Sequence, residues 1–193
     1  MTELIPENYV APLDPIAIFG RIAPLDVDLG CGNGDLICEL GRRHPERNFL
    51  GIDKLACRVA KSSRKASTLD NVRILNVESS YAVRYLLPES SVGNFYLLFP
   101  DPWPKRRHHR RRIVTRDFLD SIYRALENDG VFRIATDDQH YAEQIQSVAQ
   151  NHSSFAIVDA DDVDLPLTKF EGRFREQGAP IYRLALRKIS PVR

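Results

Sequence analysis

The stretch Leu25-Asp-Val-Asp-Leu-Gly-Cys-Gly-Asn-Gly34 joins a short apolar run to three closely spaced glycines. The run from Leu25 to Leu29 predicts a strand, and the following segment from Asp35 to Arg43 has apolar residues at helical spacing. Glycine is required where a backbone turns sharply or passes close to a ligand. The pattern therefore predicts a strand, a glycine-rich turn and a helix, with a ligand near the turn.

Strand and helix patterns alternate along the rest of the chain. Further strands are predicted at 49–52, 72–77, 95–99, 131–135, 155–158 and 181–186. Helices are predicted at 55–67, 81–87, 117–126 and from Asp137 or Asp138 to about 150, and Asn128-Asp129-Gly130 predicts a turn. Repeated strand–helix units imply parallel strands joined by right-handed crossovers, with the ligand site outside their carboxyl ends.

Length and cysteine content restrict the class of protein. The 193 residues suit one domain, which we expect to span 1–193 with a short N-terminal arm at about 1–23. Cys31, Cys38 and Cys57 are odd in number and lack paired metal-ligand spacing, which argues against a disulfide framework and a metal site. No run approaches the roughly eighteen apolar residues of a membrane span. We therefore expect a cytoplasmic protein without a metal and without a membrane partner.

A second distinctive stretch is Phe99-Pro-Asp-Pro-Trp-Pro-Lys-Arg-Arg-His-His-Arg-Arg-Arg112. Lys105 to Arg116 contains seven Lys or Arg and no acid, and because the formal net charge of the chain is +1, the remainder carries −6. Positive charge concentrated in one segment is typical of a surface that binds phosphates. A solvated surface loop is the alternative for any basic run. The prolines around Asp101 and Trp103 favour a loop with a fixed backbone instead.

Carboxylates lie at or just after the ends of three of the predicted strands. Asp28 precedes the glycine turn, Asp53 ends the second strand and Glu78 follows the third. A dinucleotide fingerprint would space its glycines Gly-x-Gly-x-x-Gly, whereas here they alternate, at Gly30, Gly32 and Gly34. Asp28 would repel a pyrophosphate but attract a sulfonium or ammonium group, and Asp53 can accept both hydrogen bonds of a ribose diol. Glycines that only form a tight turn, and Asp53 as a helix N-cap, are the alternatives.

Together these residues resemble the bacterial tRNA (guanine-N7-)-methyltransferases from about Leu25 to Arg187. The most specific element is the string from Phe99 to His108 with its further arginines, and Thr136-Asp137 and Thr168-Lys169-Phe170-Glu171 match two more family motifs. The resemblance implies a single-domain, Rossmann-like α/β methyltransferase fold with seven strands. It also implies S-adenosylmethionine as methyl donor and N7 of a guanine in tRNA as acceptor.

The resemblance further implies roles for individual residues. Cofactor contacts are expected from Asp28, Gly30, Gly32, Gly34, Asp53, Glu78 and Asp101, and Asp101 is also the expected catalytic residue. Contacts with tRNA are expected from Lys105, Arg107, His108, His109, Arg110, Arg111, Arg112, Asp137, Thr168, Lys169, Phe170 and Glu171. Relatives often carry Glu at the first two acids and Asp at the third, so the reach of each acid differs by about one methylene. The arm before the first strand is short, so a tRNA contact that a longer arm makes in relatives is expected to be weaker or missing.

Two other functions are compatible with these features. A non-catalytic RNA-binding protein would keep the fold and the basic run, although the intact glycines and Asp101 argue against lost activity. A methyltransferase of proteins or small molecules would explain the glycine turn but would leave the arginine run without a purpose. Thr168-x-x-Glu171 is also a capping box and Asp137 also suits a helix N-cap, and both roles are compatible with substrate contact. The role of Trp103, and the choice between a monomer and a homodimer, stay open.

Overall fold

Eight strands form one mostly parallel sheet in the computed structural model, which describes residues 2–160 and 165–189. Their bounds are β1 Glu3–Leu4, β2 Leu25–Leu29, β3 Asn48–Asp53, β4 Val72–Asn76, β5 Val92–Leu98, β6 Leu126–Thr136, β7 Phe155–Val158 and β8 Tyr182–Lys188. The order across the sheet is β1-β4-β3-β2-β5-β6-β8-β7. β8 runs antiparallel to both of its neighbours, and the other pairs are parallel.

Helices in the connections cover both faces of the sheet. They are α1 Pro15–Phe19, α2 Asp35–Arg43, α3 Ala56–Lys65, α4 Ser79–Tyr81, α5 Arg116–Ala125, α6 Gln139–Gln150 and α7 Lys169–Glu176. A π-helical turn, Ala82–Leu86, continues α4, and a 3₁₀ helix, Arg106–Arg111, precedes α5. α2 packs on α3, whereas α5 packs on α6 and on the π-helical turn. Because the strand order reverses after β4 and crossovers are right-handed, these two groups lie on opposite faces.

Each face of the sheet has its own apolar core. Ile37 and Val59 belong to the cluster under α2 and α3, and Ile122, Phe132 and Tyr141 belong to the cluster under α5 and α6. Every residue of β2 and β3 is buried. This continuous burial is expected of central parallel strands covered on both sides.

The predicted elements are confirmed, and the bounds of β2, α2 and β7 agree with the prediction residue by residue. β6 differs most, because it begins at Leu126 and contains the predicted turn as an irregularity. Asp129 has a φ of 63°, and the register with β5 shifts between Val92 and Asn94. Residues 161–164 of the connection after β7 lie outside the described residues.

The predicted number of seven strands is corrected to eight by the N-terminal segment. Glu3 pairs with Ile74 on β4 and forms a two-residue strand, which is too short for a period-two pattern to show in the sequence. The backbone N–H of Leu13 donates to the carbonyl of Leu86 at 2.7 Å. The part of the predicted N-terminal arm that the structure describes therefore packs along the edge of the sheet.

Gly34 generates the first prediction, because it begins α2 with a φ of 73° and packs against α3. A Cβ at Gly34 would lie 2.8 Å from the Cβ of Ser62, whereas a Cβ at Gly30, with a φ of 77°, would meet nothing within 4 Å. We expect Gly34→Ala to lower the free energy of unfolding by about 2–4 kcal/mol and Gly30→Ala by about 1–2 kcal/mol. Urea unfolding of both variants measures the difference, and equal losses would contradict the close packing at Ser62.

Candidate active site

The chain leaves β2 and β5 in different directions. From β2 it continues to β3 on one side, and from β5 to β6 on the other. In open α/β sheets ligands bind in the crevice at such a reversal of strand order. Two adjoining clefts of about 280 Å³ and 300 Å³ lie there, here called the first and second cleft and together the crevice. Both are lined by Gly30, Arg58, Leu98, Phe99 and Asp101.

The glycine turn is held by the end of β3. The backbone N–H groups of Gly30 and Cys31 donate to the carbonyl of Ile52 at 2.8 Å and 2.9 Å. The backbone N–H of Gly32 donates to Oδ2 of Asp53 at 3.0 Å. The turn therefore presents its backbone to the first cleft, and the space beside Gly30 allows a ligand to approach closely.

Asp53 fixes the start of the next connection as well. Its Oδ1 accepts a hydrogen bond from the backbone N–H of Leu55 at 2.8 Å, and Nη1 of Arg58 lies 3.8 Å from Oδ2. The N-cap residue of α3 is Leu55, so the N-cap interpretation of Asp53 is wrong. A carboxylate has about four lone-pair sites. Asp53, which lines the second cleft, can therefore still accept hydrogen bonds from a ligand.

Two aspartates of β2 differ in their pairing. The carboxylate of Asp26 accepts from Nε and Nη2 of Arg47 at 3.0 Å and 2.7 Å and from Nδ2 of Asn94 at 2.9 Å. Asp28 is 4% exposed and lines the first cleft, and no described residue donates a hydrogen bond to its carboxylate. Burial, and secondly the charge of Asp53, raise the pKa of Asp28 to about 7. A buried, unpaired carboxylate beside a cleft is suited to bind a cation.

Asp101 lies in a loop of strained backbone after β5. Phe99 and Trp103 have φ values of 54° and 46°, and such conformations cost a residue other than glycine roughly 1–3 kcal/mol. Asp101 is exposed, lines both clefts, and has no hydrogen bond or ion pair among the described residues. The loop therefore holds a free carboxylate where the two clefts meet.

Glu78 lines the second cleft, but its carboxylate also has local partners. Oε2 accepts from the backbone N–H of Tyr81 at 2.9 Å, and Oε1 accepts from Oγ of Ser80 at 3.2 Å. Glu78 is thus the N-cap of α4. Its predicted role as a cofactor contact stays a prediction.

Asp137 and Asp138 follow β6 at the same edge of the sheet. Oδ1 of Asp138 accepts from the backbone N–H of Tyr141 at 2.7 Å, so Asp138 is the N-cap of α6. The N-cap interpretation of Asp137 is wrong. Its carboxylate has no partner within the part of the chain that the structure describes, and it therefore stays available to a ligand.

The 3₁₀ helix Arg106–Arg111, here called the basic turn, lies beside the second cleft. Its cations are mostly exposed, namely Arg106, Arg107, Arg110 and Arg111, with Lys105 just before them. Arg106 is exposed like the predicted tRNA contacts, although the family resemblance does not imply a tRNA contact for it. His108 and His109 are half-buried. The exposed cations are free to meet a polyanion.

Trp103 organises the basic turn. Cζ of Arg111 lies 4.9 Å from the centroid of the Trp103 ring, and the ring of His108 contacts it edge-on at 5.8 Å between centroids. Trp103 also lines the second cleft. Its indole therefore links the cleft to the cationic surface.

Arg112 is corrected from a predicted RNA contact to a structural residue. It is 4% exposed, and its Nε donates to the carbonyl of Pro102 at 2.7 Å. Nη1 donates to Oε1 of Gln144 at 2.5 Å, and Cζ lies 4.7 Å from the ring centroid of Tyr141. The buried guanidinium anchors the Asp101 loop to α6.

The segment from Thr168 to Phe170 also reaches the first cleft. Oγ1 of Thr168 accepts from the backbone N–H of Glu171 at 3.1 Å and so begins α7, as the capping interpretation predicts. Thr168, Lys169 and Phe170 line the first cleft, and the Phe170 ring lies 6.4 Å from that of Phe99. These three residues therefore lie beside the crevice, and their contact with substrate stays a prediction.

Glu171 has a different environment. It is 7% exposed, accepts from Nη2 of Arg175 at 2.5 Å and from Nη2 of Arg183, and lines a separate cavity of about 130 Å³. The predicted substrate contact at Glu171 is therefore corrected. Its carboxylate fixes α7 against β8.

Three cations that line the clefts are not marked by the sequence patterns. Arg58 lines both clefts, Arg173 lines the first and Lys54 lines the second. Arg58 lies in the first turn of α3, directly after the end of β3. The first turn of the helix that follows each predicted strand lies at the carboxyl edge of the sheet. Examining the residues of these turns would therefore identify Arg58.

Metal and membrane features were sought in residues 2–160 and 165–189. No group of three or more His, Cys, Asp or Glu side chains there can hold a metal ion, and the three cysteines are free. No helix in these ranges has the length and apolar character needed to cross a membrane.

Comparison with known proteins identifies the family. A family model described as "Putative methyltransferase" matches residues 22–184. A tRNA (guanine-N(7)-)-methyltransferase of Nitrosococcus oceani is 36% identical over 92% of this chain and 77% of its own length. The chain belongs to the tRNA (guanine-N(7)-)-methyltransferase family. A relative with the same name from Thermotoga maritima is 37% identical over 97% of this chain, which spans 61% of that relative.

Solved structures confirm the fold of this methyltransferase family member. The 16S rRNA methyltransferase KamB has a TM-score of 0.63 and 18% identity, with 91% of this chain and 92% of that chain covered. Geranyl diphosphate methyltransferase in complex with GPP and sinefungin has a TM-score of 0.59 and 14% identity, covering 90% and 76%. The predicted Rossmann-like methyltransferase fold is therefore confirmed. Family membership also favours a catalytic methyltransferase over a non-catalytic RNA-binding protein.

Asp28 generates a prediction on pH and stability. Because its pKa is about 7 in the folded protein against an ordinary 3.8, the folded chain retains a proton that the unfolded chain loses. The contribution of Asp28 to the free energy of unfolding should therefore fall as the pH rises from about 4 to 7 and then level off. We expect Asp28→Asn to remove this loss. The free energy of unfolding of the variant minus that of the wild type should therefore be about 2–3 kcal/mol larger at pH 8 than at pH 5. Urea unfolding at both pH values tests this, and a gain independent of pH would contradict it.

Proposed function

We propose that this chain transfers a methyl group from S-adenosylmethionine to N7 of a guanine in tRNA. One observation carries the proposal: the unpaired carboxylates of Asp28 and Asp101 line one crevice, and the exposed basic turn lies beside it. A site for a cationic ligand thus adjoins a surface for a polyanion. A methyltransferase of proteins or small molecules would not require that cationic surface.

The crevice residues fit the proposed cofactor. S-adenosylmethionine supplies an electrophilic methyl group on a positively charged sulfur. Asp28 would balance positive charge in the first cleft, and Asp53 would accept hydrogen bonds from ribose hydroxyls in the second. The open space beside Gly30 leaves room for close approach to the backbone. The exposed Glu78 carboxylate also lines the second cleft.

The acceptor atom requires little proton chemistry from the protein. Guanine N7 is a hydrogen-bond acceptor with a lone pair and no proton, so it can attack a methyl group without a general base. Holding the two reactants in line can supply several kcal/mol by removing the cost of bringing them together. Positive charge moves onto the purine during transfer. The free carboxylate of Asp101 stabilises that charge, and Asp137 is a second carboxylate at the same edge.

The basic turn would supply the affinity for RNA. A guanine must leave its stack to reach the crevice, and unstacked bases are the usual targets of sequence-specific RNA recognition. The exposed cations at Lys105, Arg107 and Arg110 would hold phosphates next to that base. Lys169 and Phe170, which line the first cleft, would contact the guanine or its neighbours.

A direct assay tests the proposed reaction. Incubation with labelled S-adenosylmethionine and an unmodified tRNA transcript should yield 7-methylguanosine, detected by nuclease digestion and mass spectrometry. We expect Asp101→Asn to lower the single-turnover rate on the order of a hundredfold, because the amide keeps the shape but removes the charge. Asp117→Asn, in an exposed acid of α5, is the matched control. A rate in Asp101→Asn of at least half the wild-type value would show that this carboxylate only shapes the loop.

The role of the basic turn has its own prediction. The double variant Arg107→Gln/Arg110→Gln removes two exposed arginines. It should flatten the slope of log tRNA affinity against log salt concentration by roughly 1–2, because fewer counterions are released on binding. The control Arg42→Gln/Arg43→Gln removes the same charge from the end of α2, where both arginines pair with Glu39. An unchanged slope in Arg107→Gln/Arg110→Gln would show that the basic turn is a solvated surface loop that does not bind tRNA.

A further inference from the structure

A second segment of the chain carries an excess of positive charge. Five Lys or Arg and no acid lie between positions 54 and 65, namely Lys54, Arg58, Lys61, Arg64 and Lys65. The chain outside Lys105–Arg116 carries −6, so once this +5 is also set apart the remainder carries −11. Two short segments therefore concentrate positive charge in an otherwise acidic chain.

The two basic segments lie on either side of the crevice. α3 follows β3 and the basic turn follows β5, and β2 lies between these strands. A strand spacing of roughly 4.8 Å places the ends of β3 and β5 about 10 Å apart. Lys54 lines the second cleft and Arg58 lines both. Both basic segments therefore begin at the rim of the same site.

The cations of α3 form a track that leads away from the crevice. Arg58, Lys61 and Arg64 are exposed and lie three residues apart, the spacing of neighbours on a helix surface. Val59 and Ser62 are buried on another side of the helix. The cationic face is thus turned to solvent along the length of α3.

Local structure accounts for only some of these charges. Lys65 pairs with Asp35, and Arg58 lies 3.8 Å from Asp53. Lys54, Lys61 and Arg64 are exposed and have no acidic partner among the described residues. The helix dipole favours Arg64 and Lys65, which lie in the last turn, but it does not favour cations at the start of the helix. Lys54 and Arg58 therefore carry a charge that the helix itself disfavours.

We propose that Lys54, Arg58, Lys61 and Arg64 form a second phosphate-binding surface, here called the α3 basic surface, which holds the tRNA backbone across the crevice from the basic turn. The inference rests on the proposed function, because it takes tRNA as the polyanion. A guanine that leaves its stack has a phosphate on its 5′ side and another on its 3′ side. Cations on both sides of the crevice hold both phosphates, so the base between them is directed into the site.

The test uses a variant that spares the cofactor clefts. Lys61 and Arg64 line neither cleft, and Lys61→Gln/Arg64→Gln should flatten the salt slope of tRNA binding by roughly 1–2. Its affinity for an unmodified tRNA transcript should fall about tenfold near physiological salt. Calorimetry should find its affinity for S-adenosylmethionine unchanged. The control Arg84→Gln/Arg187→Gln removes the same charge from two exposed arginines of the π-helical turn and β8 and should leave the slope unchanged.

Several outcomes would overturn the α3 basic surface. An unchanged slope in Lys61→Gln/Arg64→Gln would do so, and so would an equal flattening in the control, since that would reflect net charge alone. If the double variant fails to fold, Lys61→Gln alone should flatten the slope by about half as much, while Lys61→Arg/Arg64→Lys should keep it. Wild-type protein that binds tRNA but forms no 7-methylguanosine would refute the proposed reaction and leave this comparison of slopes valid.

Discussion

The divergence of the chain after β2 and β5 creates the space on which the other functional features depend. Both strands end at the same edge of the sheet, but right-handed crossovers send the chain from β2 to one face and from β5 to the other. No backbone fills the gap between the two exits. Side chains at these strand ends, such as Asp28 and Asp101, therefore face a crevice instead of a core. The glycine turn, the basic turn and α3 are all placed around that gap.

The crevice is also where stability is reduced. Asp26 is fully paired at the beginning of β2, whereas Asp28, two residues later, is buried without a donor among the described residues. Phe99 and Trp103 add backbone strain around Asp101. The surrounding structure offsets these costs, since the buried guanidinium of Arg112 anchors the strained loop from behind. Unfavourable local conformations confined to one edge of a well-packed sheet are typical of a functional site.

Features with a local signal could be predicted from the sequence, and features that depend on distant partners could not. Apolar runs and glycines identify β2, α2 and the glycine turn, because burial and turn geometry act on adjacent residues. Arg112 was expected at the RNA surface, but its partner Gln144 is 32 residues away. Glu171 was expected at the substrate, but its partner Arg183 is 12 residues away. The choice of Asp138 as N-cap depends on the residue at which β6 ends, which a sequence pattern locates only to within one or two residues.

Burial explains how opposite charges can serve one site without cancelling each other. Asp28 lies in a region of low dielectric, where a charge acts strongly over a few ångströms, so it can select a cation inside the first cleft. The cations of the basic turn and of α3 are exposed to solvent, where salt screens them beyond roughly 8–10 Å. Short-range attraction in the cleft and screened attraction at the rim therefore operate independently. Added salt should weaken the hold on a polyanion long before it weakens the hold on a small cation beside Asp28.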